Sequence, residues 1–526
     1  MKISEASAET FAPSTWLPSN GALIWTFVAI GSLLRLREYL FNRSLWYDES
    51  MLALNIINRS PTDLTKPLSY FQVAPIGFLW LEKLSVHYLG SSEMALRLVP
   101  LLSGIVSIFL FAAVARHFLS TNVVPIAVGL FSISQPLIYY SAEAKQYSTD
   151  VALTLLLYLL LSPFLEASVG FVHVILVALI GAVIIWCSHP AVFVLAGVAL
   201  SVLWTAARRR DSFLLILTVI PAAVWACSFL LFYTFSLRRA SNDPILLDYW
   251  KDAFMPLPPS SLADLSWFES AFFKTFSFPV GLAATGIAAV AATLGTIELR
   301  ARSLSKFLSL LLPIVLALLA SSMHLYPFQG RLLLFLVPSL LILVAAGFDL
   351  IKCKTWKAFP LLNTLLLGFL LFAPLAEAAR HLVKPRGLEE IKPVVKYVGQ
   401  HMVFGDTLYC YYGAEPAFEY YRERGLIAPI KQLMGVKWIG NLQLYKLDSD
   451  KLRGQKRVWV LFSHVSSAAG VDEEIFFVDH LDQVGRRLDT FHTTGASVYL
   501  YDLRSERDLS SIPGFEEPSV RTESAK

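Results

Sequence analysis

Asp48 and Glu49 stand side by side in the run Trp46-Tyr47-Asp48-Glu49, directly after a long apolar stretch. Two adjacent carboxylates there offer a general base and a second acid for a metal or an acceptor, and partial desolvation raises a carboxylate pKa toward a useful range. A solvated acidic pair flanking a helix is the plainer alternative. A second polar cluster, Ser141-Ala142-Glu143-Ala144-Lys145-Gln146-Tyr147, sets an acid, a base and a phenol close together. Lys145 can meet a phosphate as a point charge or snorkel at a helix end. A third, His324-Leu325-Tyr326-Pro327-Phe328-Gln329-Gly330-Arg331, ends on an arginine that leads into a Leu-rich run. A guanidinium binds phosphate in a bidentate fork, although anchoring of the helix would also account for an arginine at this place.

The elements that position these groups are membrane spans. Of 526 residues, 55% are hydrophobic and only 16% charged, against about 25% charged in an ordinary soluble domain. Eleven apolar runs of roughly 17 to 24 residues are long enough, at about 1.5 Å per residue, to cross a core of about 30 Å. They fall near 21–41, 98–115, 123–140, 148–165, 171–187, 191–206, 212–235, 278–297, 307–322, 331–350 and 358–377. Basic clusters at Arg116-His117, Arg208 to Arg210, Arg300 with Arg302 and Lys306, and Lys352 with Lys354 and Lys357 occupy alternate loops. Those loops are expected to be cytoplasmic, together with the N-terminus. The segments 42–97, 141–147, 236–277 and 323–330 then face outward, and Arg238 and Arg239 lie in an outward loop long enough for their charge to matter less.

Within the first outward loop, Met51 to Asn58 and Pro75 to Tyr88 alternate at helical spacing and read as helices along the interface. After residue 379 the pattern becomes that of a small α/β domain outside the membrane, with helices in Leu388–His401 and Glu415–Arg424 and strands in Thr407–Tyr412, Val458–Phe462 and Ser497–Tyr501. The expected organisation is a transmembrane domain over 1–378 and an extracytoplasmic domain over 379–526. Net charge is only +4, and the basic residues cluster between apolar runs, which argues against a nucleic-acid partner. The cysteines at 187, 227, 353 and 410 form no disulfide framework or metal motif.

At these polar clusters the chain resembles the GT-C superfamily of polyprenyl-phosphate-sugar-dependent glycosyltransferases. It is most similar to the rhizobial lipid A galacturonosyltransferase-like group, related to protein O-mannosyltransferases and lipid A aminoarabinose transferases. The matching pieces are Tyr47-Asp48-Glu49, Val73-Ala74-Pro75, Gly90-Ser91-Ser92-Glu93 with Leu96-Arg97, Glu143-Ala144-Lys145-Gln146-Tyr147, and Tyr326-Pro327-Phe328 with Gly330-Arg331. They keep the family's order over roughly residues 20 to 350. The family often has a pair of prolines where this chain has Ala74-Pro75, and an arginine where it has Lys145.

The resemblance implies a GT-C-like, polytopic all-α membrane bundle that moves a sugar from a polyprenyl-phosphate donor to a hydroxyl of a cell-envelope lipid, glycan or protein, with inversion, at the outer face of the plasma (inner) membrane. Asp48 is then the catalytic base, with Glu49 beside it. Arg331, Lys145 and Tyr147 bind the donor phosphate, and Glu143, Tyr326, His324 and Arg97 contact substrate. Glu49 and Glu143 could share a divalent cation, but no ligand spacing establishes a metal. The rival functions are a transporter or flippase of a lipid-linked substrate, which calls for ionisable residues deep in broken spans, and a catalytically silent assembly subunit.

Overall fold

The structure is a computed structural model that describes residues 21–238, 241–355, 360–437, 442–468 and 470–504. Arg239 and Lys357 lie outside the described residues. Every apolar run of the sequence falls on helix: Gly21–Phe41, Leu98–Phe118, Val124–Ile133 with Gln135–Tyr140, Tyr147–Leu165, Phe171–Cys187, Ala191–Arg209, Ser212–Phe232, Thr285–Arg302, Leu304–Ser322, Val337–Thr355 and Pro360–Val383. The 123–140 run is divided because Pro136 has no N–H to give the carbonyl four residues back, and the helix stops at Ser134.

Among the described residues, seven helices are long and apolar enough to cross a membrane. They begin at Leu98, Tyr147, Ala191, Ser212, Leu304, Gly330 and Thr364, and the protein is membrane-embedded. The sequence expectation of eleven counts more, and the shortfall has local causes. Gly21–Phe41 carries Arg35, Arg37 and Glu38, Thr285–Arg302 carries Glu298, Arg300 and Arg302, Phe171–Cys187 is 17 residues long, and Val124–Ile133 is cut short.

The chain divides into two compact units, one of residues 1–41 with 60–385 and the other of 42–59 with 386–526. In the first, Thr285–Arg302 and Val337–Thr355 pack backbone to backbone: a methyl group on Gly295 would overlap the Leu343 carbonyl, and one on Gly347 the Ala291 carbonyl. Small residues at such a crossing let two membrane helices approach closely. Arg35 is fully buried in the first helix and donates to the carbonyl oxygens of Gly31 at 3.0 Å and Ser132 at 3.2 Å. Glu38 lies 3.3 Å from His381. The loop part of this unit holds the helix Ile76–Leu89, ended by Gly90 at φ +80°, and the short helix Glu93–Leu96, whose first turn is capped by Ser92 Oγ accepting from the Ala95 N–H at 3.1 Å.

In the second unit a five-stranded sheet contains β1 (Thr407–Cys410), β2 (Lys431–Met434), β3 (Val458–Ser463), β6 (Arg486–Thr493) and β7 (Ala496–Asp502). Its order is β2-β1-β3-β7-β6, with the two β1 pairings parallel and the other two antiparallel. The short strands β4 (Ser467–Ala468) and β5 (Val471–Asp472) pair separately. The core is unusually phenolic for its size, and each buried hydroxyl is used: Tyr409 donates to Asp448 at 2.6 Å, and Tyr411 and Tyr412 both donate to Glu473.

Candidate active site

Four of the expected site residues, Glu143, Lys145, Tyr147 and Arg331, lie at the start of the Tyr147–Leu165 helix in the first unit. The turn before it is tight, with the Lys145 N–H on the Glu143 carbonyl at 2.7 Å. Lys145 and Glu143 are both buried there, and Lys145 Nζ donates to Gln72 Oε1 at 2.5 Å. Tyr147, the first helical residue, meets Tyr140 edge to face at 5.2 Å. The Arg331 guanidinium lies over the Tyr147 ring at 5.6 Å, a cation–π contact. Gly330 at φ +58° turns the chain into the 3₁₀ segment Gly330–Leu336 and thereby sets Arg331. Tyr326 pins the preceding loop, donating to the Leu332 carbonyl at 2.7 Å.

The other substrate candidates turn elsewhere. His324 is exposed, with its ring on Phe254 at 4.9 Å. Arg97 is buried at the head of the Leu98–Phe118 helix, close to the Tyr39 phenol. A pocket of about 290 Å³ is lined in part by Lys66, Tyr70, Phe71, Gln72, Asp243 and Leu246. Tyr70 and Phe71 both have positive φ, at 61° and 53°, a conformation costly for side chains of this size. Gln72 thus links the pocket wall to the Lys145 ammonium.

Asp48 and Glu49 belong to the second unit. They form the first turn of the helix Tyr47–Asn58, where the helix dipole favours negative charge. Glu49 is fully buried and Asp48 half-buried, so Asp48 is the more accessible carboxylate. The helix packs on Glu415–Glu423, and its entry is tied down by hydrogen bonds. Ser44 N and Oγ donate to Glu390 Oε2 at 3.1 and 2.9 Å, Leu45 N donates to the Tyr421 hydroxyl at 2.9 Å, and Tyr47 N donates to Glu389 Oε2 at 2.9 Å. The other Glu389 oxygen accepts from His464 Nδ1 at 2.7 Å, and the His464 ring stacks on Tyr47 at 4.1 Å. Burial, with the charges of Tyr412, Glu415, Asp48 and Glu389 nearby, pushes the Tyr47 phenol up to about 12.

Glu389, Glu390, Tyr421 and Gln72 were not foreseen from the sequence, and the first three lie more than 340 positions from the backbone they hold. No short-range pattern could have found them. Asp150, an ionisable residue inside an apolar run, did have a visible signal. No group of three or more His, Cys, Asp or Glu arranged to hold a metal ion occurs among the described residues.

No protein-family model matches the sequence, and no curated protein matches it. Solved structures do match the fold. ArnT from Cupriavidus metallidurans in the apo state aligns at TM-score 0.54 with 11% identity, over 92% of this chain and 98% of that one. The same protein bound to undecaprenyl phosphate gives 0.51 and 12% identity over the same shares. The Archaeoglobus fulgidus oligosaccharyltransferase in the apo form gives 0.50 and 12%, over 92% of this chain and 75% of that one.

Proposed function

We propose that this protein is a glycosyltransferase that moves a sugar from a polyprenyl phosphate to a hydroxyl of a lipid, glycan or protein acceptor at the outer face of the plasma membrane. The observation that carries the reading is the Arg331 guanidinium over the Tyr147 ring, two residues after the buried Lys145, in a chain whose fold is shared with an undecaprenyl phosphate-binding protein. In the reaction, Asp48 takes the proton of the acceptor hydroxyl while its oxygen bonds to the anomeric carbon. The bond from that carbon to the phosphate oxygen breaks, and its electron pair leaves with the phosphate. A single displacement inverts the anomeric centre. General-base help of this kind is worth about 10²- to 10⁴-fold, and Arg331 and Lys145 stabilise the charge that grows on the leaving phosphate. Glu49, buried beside Asp48, and Glu143, buried beside Lys145, orient the two reacting partners.

The test is transfer by the purified full chain from undecaprenyl phosphoryl sugars, run beside mass spectrometry of envelope lipids and glycans from a strain lacking the gene. A missing glycoform in the strain and transfer in vitro support the reading. An unchanged envelope together with no transfer from a panel of hexose, hexuronic acid and aminopentose donors refutes it.

A further inference from the structure

Gln146, Asp150, Thr154 and Tyr158 are spaced four residues apart at the start of the Tyr147–Leu165 helix and along it, so they share one face of a membrane-spanning segment. All four are buried. At the deep end the polarity is satisfied, because the Tyr158 hydroxyl lies 2.9 Å from Ser339 Oγ. Nearer the outer end it is not. Gln146 Oε1, Asp150 Oδ1 and Thr154 Oγ1 have no hydrogen-bond partner among the described residues. Ser188 Oγ, at the end of the Phe171–Cys187 helix, faces the Asp150 carboxyl without closing a bond, and the Tyr326 phenol lies near the same carboxyl.

Buried polar atoms in a membrane interior are costly unless something meets them, and an ionisable residue there marks a substrate path. What is missing can be read from the atoms. Gln146 Oε1 can only accept, while the Thr154 and Ser188 hydroxyls both donate and accept, so the complement is a group whose O–H groups do both. The ester oxygens of a phosphate anion accept only; a polyol does both. The seam begins at Gln146, next to Tyr147, whose ring lies under the Arg331 guanidinium.

We propose that Gln146, Asp150, Thr154 and Ser188 form the subsite that takes the hydroxyl groups of the donor sugar, while the neighbouring cations take its phosphate. The inference rests on the reading of the chain as a polyprenyl-phosphate-sugar transferase. It assigns recognition of the sugar to the membrane helices of the first unit.

The experiment measures binding of bare undecaprenyl phosphate and of undecaprenyl phosphoryl sugars (hexose, hexuronic acid and aminopentose) to the full chain in nanodiscs. It compares the wild type with Asp150→Ala, Thr154→Val and Ser188→Ala. A site built to bond a substrate hydroxyl loses discrimination strongly when its partner is removed, so Asp150→Ala should weaken the preferred sugar lipid by about tenfold or more. Bare undecaprenyl phosphate should stay within about twofold, and the two milder variants should show smaller losses of the same selective kind. If Asp150→Ala does not fold, Thr154→Val and Ser188→Ala carry the test alone. Equal losses on both lipids, no loss on either, or a wild type that binds sugar lipids no better than the bare phosphate would each overturn the subsite. A wild type that does not bind undecaprenyl phosphate at all strikes the proposed function itself.

Discussion

Lys145, Tyr147 and Arg331 stand at the ends of apolar helices, whereas Asp48 and Glu49 stand on a 12-residue helix whose entry is fixed by Glu389, Glu390 and Tyr421. The first group is held within the first unit, by the Lys145 bond to Gln72, the Arg331 contact with Tyr147 and the turn at Gly330. The second is placed by hydrogen bonds from residues more than 340 positions later in the chain, within the same compact unit. A phosphate site needs fixed charge, and rigid helices supply it. The proposed base is carried by the second unit, so the acidic half of the proposed chemistry depends on the residues there that hold its helix.

The sharpest way to break this comparison is Asp48→Asn. The amide keeps the size of the carboxylate but cannot take the acceptor proton, so turnover should fall by about 10²- to 10⁴-fold with thermal stability unchanged. Wild-type turnover by purified variant would remove Asp48 from the role of base. Arg331→Lys comes next. A helix anchor needs only charge and length, while a bidentate phosphate contact needs the planar fork. A charge-assisted hydrogen bond is worth roughly 1.5 to 3 kcal/mol, so the rate should drop by about one to two orders of magnitude. The loss should fall on turnover more than on apparent donor affinity.

The two halves of the comparison were unequally legible in the sequence. The apolar runs led to the helices because length and hydropathy are local properties, and Lys145 and Arg331 sit at their ends. Strands β1, β3 and β7 were also visible as short apolar segments. By contrast, β6 reads Arg-Arg-Leu-Asp-Thr-Phe-His-Thr and lies at the sheet edge, largely exposed, so it carries no apolar signature. The helix Leu262–Ser277 was hidden inside a loop, although the Ser261–Asp264 capping box marks its start. The Glu389 contact with Tyr47 is tertiary, and nothing within either segment announces it.

That contact gives the next prediction. Glu389→Ala removes the acceptor of the Tyr47 N–H and of His464 Nδ1 at once, freeing the entry of the helix that carries Asp48. Because a small misplacement of a catalytic group is costly, turnover should fall by about tenfold while donor binding is unchanged. A fall in donor binding of the same size would mean that the second unit serves the phosphate as well, and the division drawn here would fail.

The last prediction is read in stability rather than turnover, and concerns the segment 60–97, which belongs to the first unit. Glu82 lies on the Ile76–Leu89 helix, fully buried, and neither carboxyl oxygen has a hydrogen-bond partner among the described residues. Burial pushes its pKa well above the usual carboxylate value. The folded state therefore keeps the proton at a pH where the unfolded chain has lost it. Below the unfolded value, near 4.5, both states are protonated and stability does not depend on this group. As pH rises from there toward the folded value, the contribution of Glu82 declines by about 1.4 kcal/mol per pH unit. Glu82→Gln fills the same space without an ionisable proton, so it should leave stability near wild type at pH 5 and raise it progressively toward pH 8. Thermal unfolding of both proteins in the same detergent across that range measures the difference. A gap that stays constant with pH would show that Glu82 ionises in place.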